Sequence, residues 1–304
     1  MPSKREGFFF DMEKTIIFKN SDFVTSTQAD LDIFSQTLHY GLGAFEGIRC
    51  YSTSNGSQLF KVREHFERLK RSCEKIDIPF NWDIKELMNA CYKLLELNQL
   101  KDAYIRPLVF SGSGMDLRSS RHSDIIIMAW DWDFYRGNSL LKTCISSVVR
   151  PHPNSVPIDA KLTGNYISSI MATHEANKKG YDDCIQLDVR GFIAEAPGAN
   201  IFMEKDGKLY TPKANEYILH GITRSTLMII AKHLDIEVVE QDLTVEDLKK
   251  AKSAFLCSTA AEVVGIGSVD EVTFSANFSE TMGGTLQKVY KNLVLDKLSY
   301  EVII

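Results

Sequence analysis

A lysine, a glutamate and a glycine-led helix start, in that order, are the residues of this chain whose chemistry fits together. Lys161 stands in Asp159-Ala160-Lys161-Leu162-Thr163-Gly164-Asn165-Tyr166, a short loop between a strand pattern and an apolar helical run. Leu162, Tyr166, Ile167 and Ile170 give it an apolar sequence setting, which favours the neutral amine. A neutral amine can attack an aldehyde and later move a Cα proton. Glu195 follows a strand-like Gly191-Phe192-Ile193 and precedes Ala196-Pro197-Gly198-Ala199-Asn200. Gly221-Ile222-Thr223-Arg224 then opens a helical pattern, where free N–H groups and the positive dipole end converge. An amine for a Schiff base, an acid for a pyridinium nitrogen and a helix N-terminus for a phosphate are what a site for pyridoxal phosphate requires. Each has a plainer reading: a solvated lysine, an edge-strand glutamate facing water, an ordinary capped helix.

Three further groups bear on the same chemistry. Arg68, in His65-Phe66-Glu67-Arg68-Leu69, flanks the core face of a helix, and a guanidinium suits a fixed phosphate dianion. Tyr104 and Arg106 share one face of an otherwise apolar strand. A charge placed there needs an anionic ligand or a buried carboxylate, and the sequence favours neither. Ser258-Thr259-Ala260-Ala261-Glu262 is a turn of small residues that can present N–H groups to an anion.

The elements that must position these groups alternate between strands and helices. Lys14–Phe18 and Gln58–Val62 read as strands. Helical spacing runs from Arg63 to Ile76 and from Asp83, a fair N-cap, to Asn98. Ala103–Phe110 and Asp124–Trp130 read as buried strands about a glycine-bearing loop. Beyond a break near Phe134–Ser139 come a strand over Thr143–Arg150 and a helix over Tyr166–Lys179. Short strands follow near Cys184–Leu187, Asn200–Met203 and Lys208–Tyr210. A helix over Thr223–Leu234 precedes strands near Glu237–Glu240 and Ala254–Cys257, and the last helix spans about Thr281–Leu298. This is an α+β chain without internal repeats.

The 304 residues suffice for two domains, and the formal charge of -5, with no basic block, argues against a nucleic-acid partner. The polar start lacks a signal-like apolar stretch, and no apolar run approaches the ~20 residues of a membrane helix. Cys50, Cys73, Cys91, Cys144, Cys184 and Cys257 are scattered, as reduced cytoplasmic thiols would be. No P-loop, nucleophile elbow or metal-type histidine pair is present; Gly265-Ile266-Gly267 does not continue into a dinucleotide fingerprint.

Together these residues resemble the class IV, fold-type IV pyridoxal-phosphate enzymes, and among them the bacterial branched-chain amino acid aminotransferases. The resemblance spans nearly the whole chain, from Leu38-His39-Tyr40-Gly41 and Ala44-Phe45-Glu46-Gly47-Ile48-Arg49 to Thr259-Ala260-Ala261-Glu262. It implies a smaller N-terminal α/β domain over 1–133, a linker over 134–141 and a larger domain over 142–304. The larger would have a β-barrel-like core, and pyridoxal 5'-phosphate would occupy the interdomain cleft. Lys161 would be the Schiff-base lysine and Glu195 the partner of the pyridine nitrogen. Arg68, Ile222, Thr223 and Thr259 would hold the phosphate, with Tyr166 beside the ring oxygen. Tyr104 and the N–H groups of Thr259 and Ala260 would meet the substrate α-carboxylate. Phe45, Tyr40, Trp132, Tyr135 and Leu117 would wall an apolar pocket, some from a neighbouring subunit. Arg106, with Tyr40 and Tyr135, would bind the distal carboxylate of glutamate. The implied reaction moves the amino group of leucine, isoleucine or valine to 2-oxoglutarate in a cytoplasmic homodimer or higher homo-oligomer. D-amino acid aminotransferases and aminodeoxychorismate lyase share the fold and are the alternatives. Two departures from relatives stand out: Pro197, where a small residue is usual, and a shortened loop carrying Asp116 before Leu117.

Overall fold

A computed structural model describes residues 14–112, 114–118, 122–132 and 139–297. The first part of the chain builds an antiparallel sheet. Its strands are β1 (Ile16–Lys19), β2 (Asp22–Thr25), β3 (Gly43–Phe45), β4 (Ile48–Thr53), β5 (Gly56–Leu59), β6 (Ala103–Ser111) and β7 (Ser123–Asp131). They lie in the order β2-β1-β7-β6-β4-β5, with β3 also on β6. The long β6–β7 hairpin pairs Ala103 with Asp131 through to Ser111 with Ser123. Alternation along β6 sends Ile105 and Val109 to a helix-covered core and leaves Tyr104 and Arg106 on the other face.

The covering helices are α2 (Val62–Glu74) and α3 (Ile84–Leu97); the short α1 (Gln36–Tyr40) precedes them. Phe66, Leu69 and Cys73 of α2 meet Leu87, Cys91 and Leu94 of α3 over Ile105, Ile125 and Ile127. Burying each large apolar side chain contributes about 1.5–3 kcal/mol against an extended chain. Asp83 caps α3 by accepting from the Glu86 N–H at 3.0 Å. The strand expected over Gln58–Val62 ends at Leu59, and Val62 instead opens α2, buried at 6% exposure.

The second sheet is mixed. It comprises β8 (Leu141–Ile145), β9 (Asp183–Leu187), β10 (Ile193–Glu195), β11 (Asn200–Lys205), β12 (Lys208–Thr211), β13 (Val238–Glu240), β14 (Ser253–Ser258), β15 (Glu262–Val269) and β16 (Val272–Thr273). The order is β10-β9-β8-β15-β14-β11-β12-β13, with β16 on β15. The helices are α4 (Tyr166–Lys178), α5 (Ile222–His233), α6 (Val245–Lys249) and α7 (Met282–Val294). Leu227 and Ile230 of α5 and Leu286 and Tyr290 of α7 pack on Phe202 and Phe255, whose rings stack at 5.1 Å. A separate core on Ile185, Ile201, Leu256 and Val264 takes in Leu248 of α6. The strand expected over Thr143–Arg150 is regular only over Leu141–Ile145; the Ser146 and Arg150 N–H groups still donate to the Ile185 and Leu187 carbonyls of β9, and the chain beyond them carries Lys161 to the first sheet. The last helix is shorter than expected, with Thr281 as its N-cap, and residue 298 lies outside the described residues. With helices and two sheets in separate layers, the chain is of the α+β class. All six cysteines are buried and free.

Candidate active site

The loop that carries Lys161 belongs by sequence to the second half of the chain but is fastened to the first sheet. The Lys161 N–H donates to Ser72 Oγ of α2 at 3.0 Å. Its carbonyl accepts from the Phe45 N–H at 3.1 Å. Leu162 bridges Ala44, and the Thr163 N–H donates to the Gly43 carbonyl at 2.9 Å. Gly41, with φ of 71°, ends α1 so close to Gly164 that a Cβ on it would lie 2.8 Å from the Gly164 Cα. The Lys161 side chain then enters a cleft, where Nζ donates to the Tyr166 hydroxyl at 2.7 Å and lies 4.8 Å from the Phe45 ring centre. The apolar surroundings expected from sequence are only half present. Leu162 is buried in the first core, Ile170 is 50% exposed but lines the cavity that Lys161 shares, and Ile167 is 62% exposed and lines neither. Phe45, from a strand distant in sequence, adds an aromatic wall.

Glu195 ends the edge strand β10, yet it is buried rather than facing water. The Arg150 Nη2 lies 2.9 Å from its Oε1, the Asn200 amide donates to Oε2 at 3.1 Å, and the Leu219 N–H to Oε2 at 3.3 Å. Burial pushes the Glu195 carboxyl above its ordinary range, against the opposing pull of the Arg150 charge. The same Asn200 amide donates to the Leu219 carbonyl at 3.0 Å, tying the carboxylate to the segment that leads into α5. Pro197 falls in a tight turn closed by the Ala196 N–H on the Ala199 carbonyl at 2.8 Å. The bonds across that turn come from Ala196 and Ala199, so the N–H that proline lacks is not needed there.

At the start of α5, Gly221 is the N-cap and supplies no side-chain cap. A Cβ on it would come 2.0 Å from Asn200 Oδ1, so the approach demands glycine. The first N–H groups of the helix, on Ile222 and Thr223, are thus left for a ligand. Arg68 is buried beside them. Its Nε and Nη2 donate to Glu46 Oε1 and Oε2 at 2.6 and 2.9 Å, and Nη1 donates to the His220 carbonyl at 2.9 Å. Arg68, Lys161, Tyr166, Glu195, Ile222, Thr223, Thr259 and Ala260 line one cleft. Thr259 and Ala260 enter it from the turn between β14 and β15.

An adjoining cavity shares Lys161 and Tyr166 and is walled by Phe45, Tyr104, Arg106 and Trp132. Tyr104 stacks on Trp132 at 4.6 Å, and Arg106 Nη2 donates to the Tyr104 hydroxyl at 3.4 Å. Arg106 lies 4.8 Å over the Phe45 ring, and its Nε is buried without a partner. Among the described residues no carboxylate pairs with Arg106. Tyr40 and Leu117 are not brought to the cleft. Tyr40 is half exposed with its hydroxyl on the Met115 carbonyl at 3.3 Å, and Leu117 is 85% exposed next to the Asp116–Arg118 ion pair. Tyr135 lies outside the described residues.

Four residues that contact this machinery are not evident in the local sequence patterns: Glu46, His65, Arg150 and Asn200. Glu46 had a signal of its own, a lone acid within Leu42-Gly43-Ala44-Phe45-Glu46-Gly47-Ile48. A charge in so apolar a run is buried only with a partner. Arg150 and Asn200 had none.

The donor set suits a phosphorylated heterocyclic aldehyde: a reachable amine, a buried carboxylate, and an uncapped helix start beside a guanidinium with N–H groups to spare. Residues 43–269 match the family model for amino-transferase class IV. A branched-chain-amino-acid aminotransferase of Escherichia coli (strain K12) is 41% identical over 263 residues, covering 84% of this chain and 85% of that one. The crystal structure of the Escherichia coli branched-chain amino acid aminotransferase superposes with a TM-score of 0.90 at 37% identity, over 95% of this chain and 97% of the other. That of the branched-chain amino acid aminotransferase from Thermobaculum terrenum, in its PLP-bound holo-form, gives 0.88 at 26% identity, over 94% and 96%.

Proposed function

Because the chain belongs to the class IV aminotransferases, we propose that it exchanges the amino group of leucine, isoleucine and valine with 2-oxoglutarate, in both directions, by a ping-pong reaction on pyridoxal 5'-phosphate. The observation that carries this reading is the convergence of Lys161, Glu195, Arg68 and the α5 start on one cleft that adjoins the aromatic cavity holding Arg106. The cofactor supplies an electron sink for negative charge at the substrate Cα. Lys161 would be the residue that holds the cofactor's aldehyde carbon, and its Nζ is the base that would carry the substrate Cα proton. The Tyr166 hydroxyl, 2.7 Å from that nitrogen, orients it. Glu195, its two oxygens fixed by Arg150 and Asn200, would hold a proton at the ring nitrogen. Arg68, Ile222, Thr223 and Thr259 bind the phosphate.

On the substrate side, the Tyr104 hydroxyl and the N–H groups of Thr259 and Ala260 take the α-carboxylate. Phe45 and Trp132 wall the alkyl chain, and Arg106 receives the distal carboxylate of glutamate, which its unpartnered Nε supports. Leucine, isoleucine and valine differ by a methylene or its placement, worth only ~1–3 kcal/mol, so all three are accepted.

Tyr40, Tyr135 and Leu117 belong to the same pocket, with Tyr40 and Leu117 supplied by a second copy in a homodimer. The support is an apolar run standing in solvent on the single chain, with Leu31, Ile33, Phe34, Leu38 and Tyr40 exposed by 53, 66, 58, 69 and 50%. The domains divide at 1–133 and 142–304, in keeping with a first sheet that ends at Asp131 and a second that begins at Leu141. The partners are small amino acids and 2-oxo acids, not nucleic acid or membrane; no helix among the described residues is long and apolar enough to cross a bilayer. Six unpaired buried thiols accord with the cytoplasm. Turnover of L-leucine with 2-oxoglutarate by the purified protein tests the reading. Activity with D-alanine in its place, or pyruvate release from aminodeoxychorismate, would replace it with one of the alternatives.

A further inference from the structure

Glu46 is the most completely enclosed charge near the cleft, with no exposed surface. It sits between β3 and β4. Besides the two Arg68 donors, its Oε2 receives the His65 Nδ1 at 2.7 Å and the Gly47 N–H at 3.2 Å. Four donors thus converge on this one carboxylate, three on Oε2 and one on Oε1, all of them from the protein itself. Burial lowers the basicity of His65, against the opposing pull of the Glu46 charge. The Glu46 and Arg68 charges cancel. A phosphate arriving at the α5 start meets a guanidinium without surplus charge but with its fork locked in one plane.

We propose that Glu46 is a positioning residue for the phosphate site: it aims Arg68 and neutralises it, so that the phosphate is recognised by directed N–H donors and not by net charge. The third Arg68 contact fits this role. Its Nη1 holds the carbonyl of His220, the residue before the Gly221 N-cap. Glu46 thereby sets the guanidinium against the helix start itself. A buried ion pair is weak evidence of a stabilising role, since apolar replacements often serve stability as well. The aim of Arg68 gives this one a use.

The proposal rests on the pyridoxal-phosphate reading, and the test separates the two. Full-length wild type, Glu46→Gln, Arg68→Gln and the double variant, each freed of cofactor, are titrated with pyridoxal phosphate and with pyridoxal, which lacks the phosphate. The ratio of the two dissociation constants is the phosphate increment. Glu46→Gln is expected to shrink it by about tenfold while leaving the pyridoxal constant within about twofold, because only the charged hydrogen bonds of Arg68 are misaligned. In the Arg68→Gln background, Glu46→Gln should have no further effect on the increment. An unchanged increment in Glu46→Gln, an equal loss for both ligands, or a further fall in the double variant would overturn the proposal. Should Glu46→Gln not fold, the two Arg68→Gln proteins decide: equal increments uphold it, and a smaller one in the double variant refutes it. Wild type that bound neither ligand would instead defeat the underlying reading, and the proposal with it.

Discussion

Adding one methyl group at Gly47 probes the substrate side of the cleft directly. A Cβ on Gly47 would lie 1.8 Å from the Tyr104 hydroxyl oxygen and 2.5 Å from its Cζ. Carbon and oxygen ordinarily come no closer than about 3.3 Å, so the ring must withdraw by about 1.5 Å. It has little room. Tyr104 is buried, stacked on Trp132 at 4.6 Å and flanked by Trp130 at 5.1 Å. Overpacking of this kind costs about 1–3 kcal/mol. Moving a positioned group by about 1 Å costs on the order of 100-fold in rate. Gly47→Ala should therefore lower kcat/KM for leucine by roughly 100-fold. The melting temperature should fall by a few degrees, while the visible absorbance of the lysine-bound cofactor persists because Lys161 and Glu195 are untouched. Steady-state kinetics, a spectrum and a thermal melt read all three. Tyr104→Ala removes the obstructed ring, and adding Gly47→Ala to it should cost less than about twofold. Wild-type kinetics in Gly47→Ala, or the full penalty in the absence of the ring, would refute the reasoning.

Lys161→Ala should abolish both the cofactor absorbance and turnover; a variant that kept both would rule out Lys161 as the covalent attachment point. Arg106→Leu should raise KM for 2-oxoglutarate at least about tenfold with a much smaller change for leucine, since a charge-assisted contact is lost for one substrate alone; equal effects on both would contradict the assignment of the distal carboxylate. Arg150→Met leaves the burial of Glu195 unopposed by its nearest cation, so the carboxyl binds protons at higher pH and the acidic limb of the activity profile moves upward; an unmoved limb counts against the pairing. Glu46, with an ordinary value of 4.5, is raised by burial but drawn well below that value by Arg68 and then His65. Below pH 4.5 the unfolded chain takes up this proton before the folded one does, so stability falls with pH. The stability advantage of wild type over Glu46→Gln should therefore be full near neutrality and shrink below that point in acid-titrated urea melts. A constant difference would exclude the ion pair as its source.

The parts legible in the sequence were those written in local periodicity. The apolar residues of α2 and α3 recur at helical spacing, the strand β6 alternates, and both helices and the hairpin form where the pattern put them. Lys161, Glu195 and Thr223, each beside a turn or helix start, also meet in one cleft with Arg68, which stands mid-helix on α2. Strand β15 was hidden by its own glycines. A Cβ atom at Gly265 would lie 2.7 Å from Phe278 and Leu140, so the packing requires residues that erase a strand signal. The supporting shell was hidden for a different reason. Glu46 meets Arg68 and Arg150 meets Glu195 only after the chain has folded back on itself, and no spacing rule reaches across such gaps. The exposed positions of Tyr40 and Leu117 follow from describing one chain of a pocket proposed to need two.

The fastening of the Lys161 loop to β3 divides anchor from grip. Lys161, the proposed attachment point, is tied to the first sheet through the bonds of Phe45 and Thr163, whereas Glu195, the α5 start and the Thr259 turn belong to the second. A molecule gripped at both ends of the cleft would thus be stretched if one sheet swung away from the other, so its binding would resist that separation.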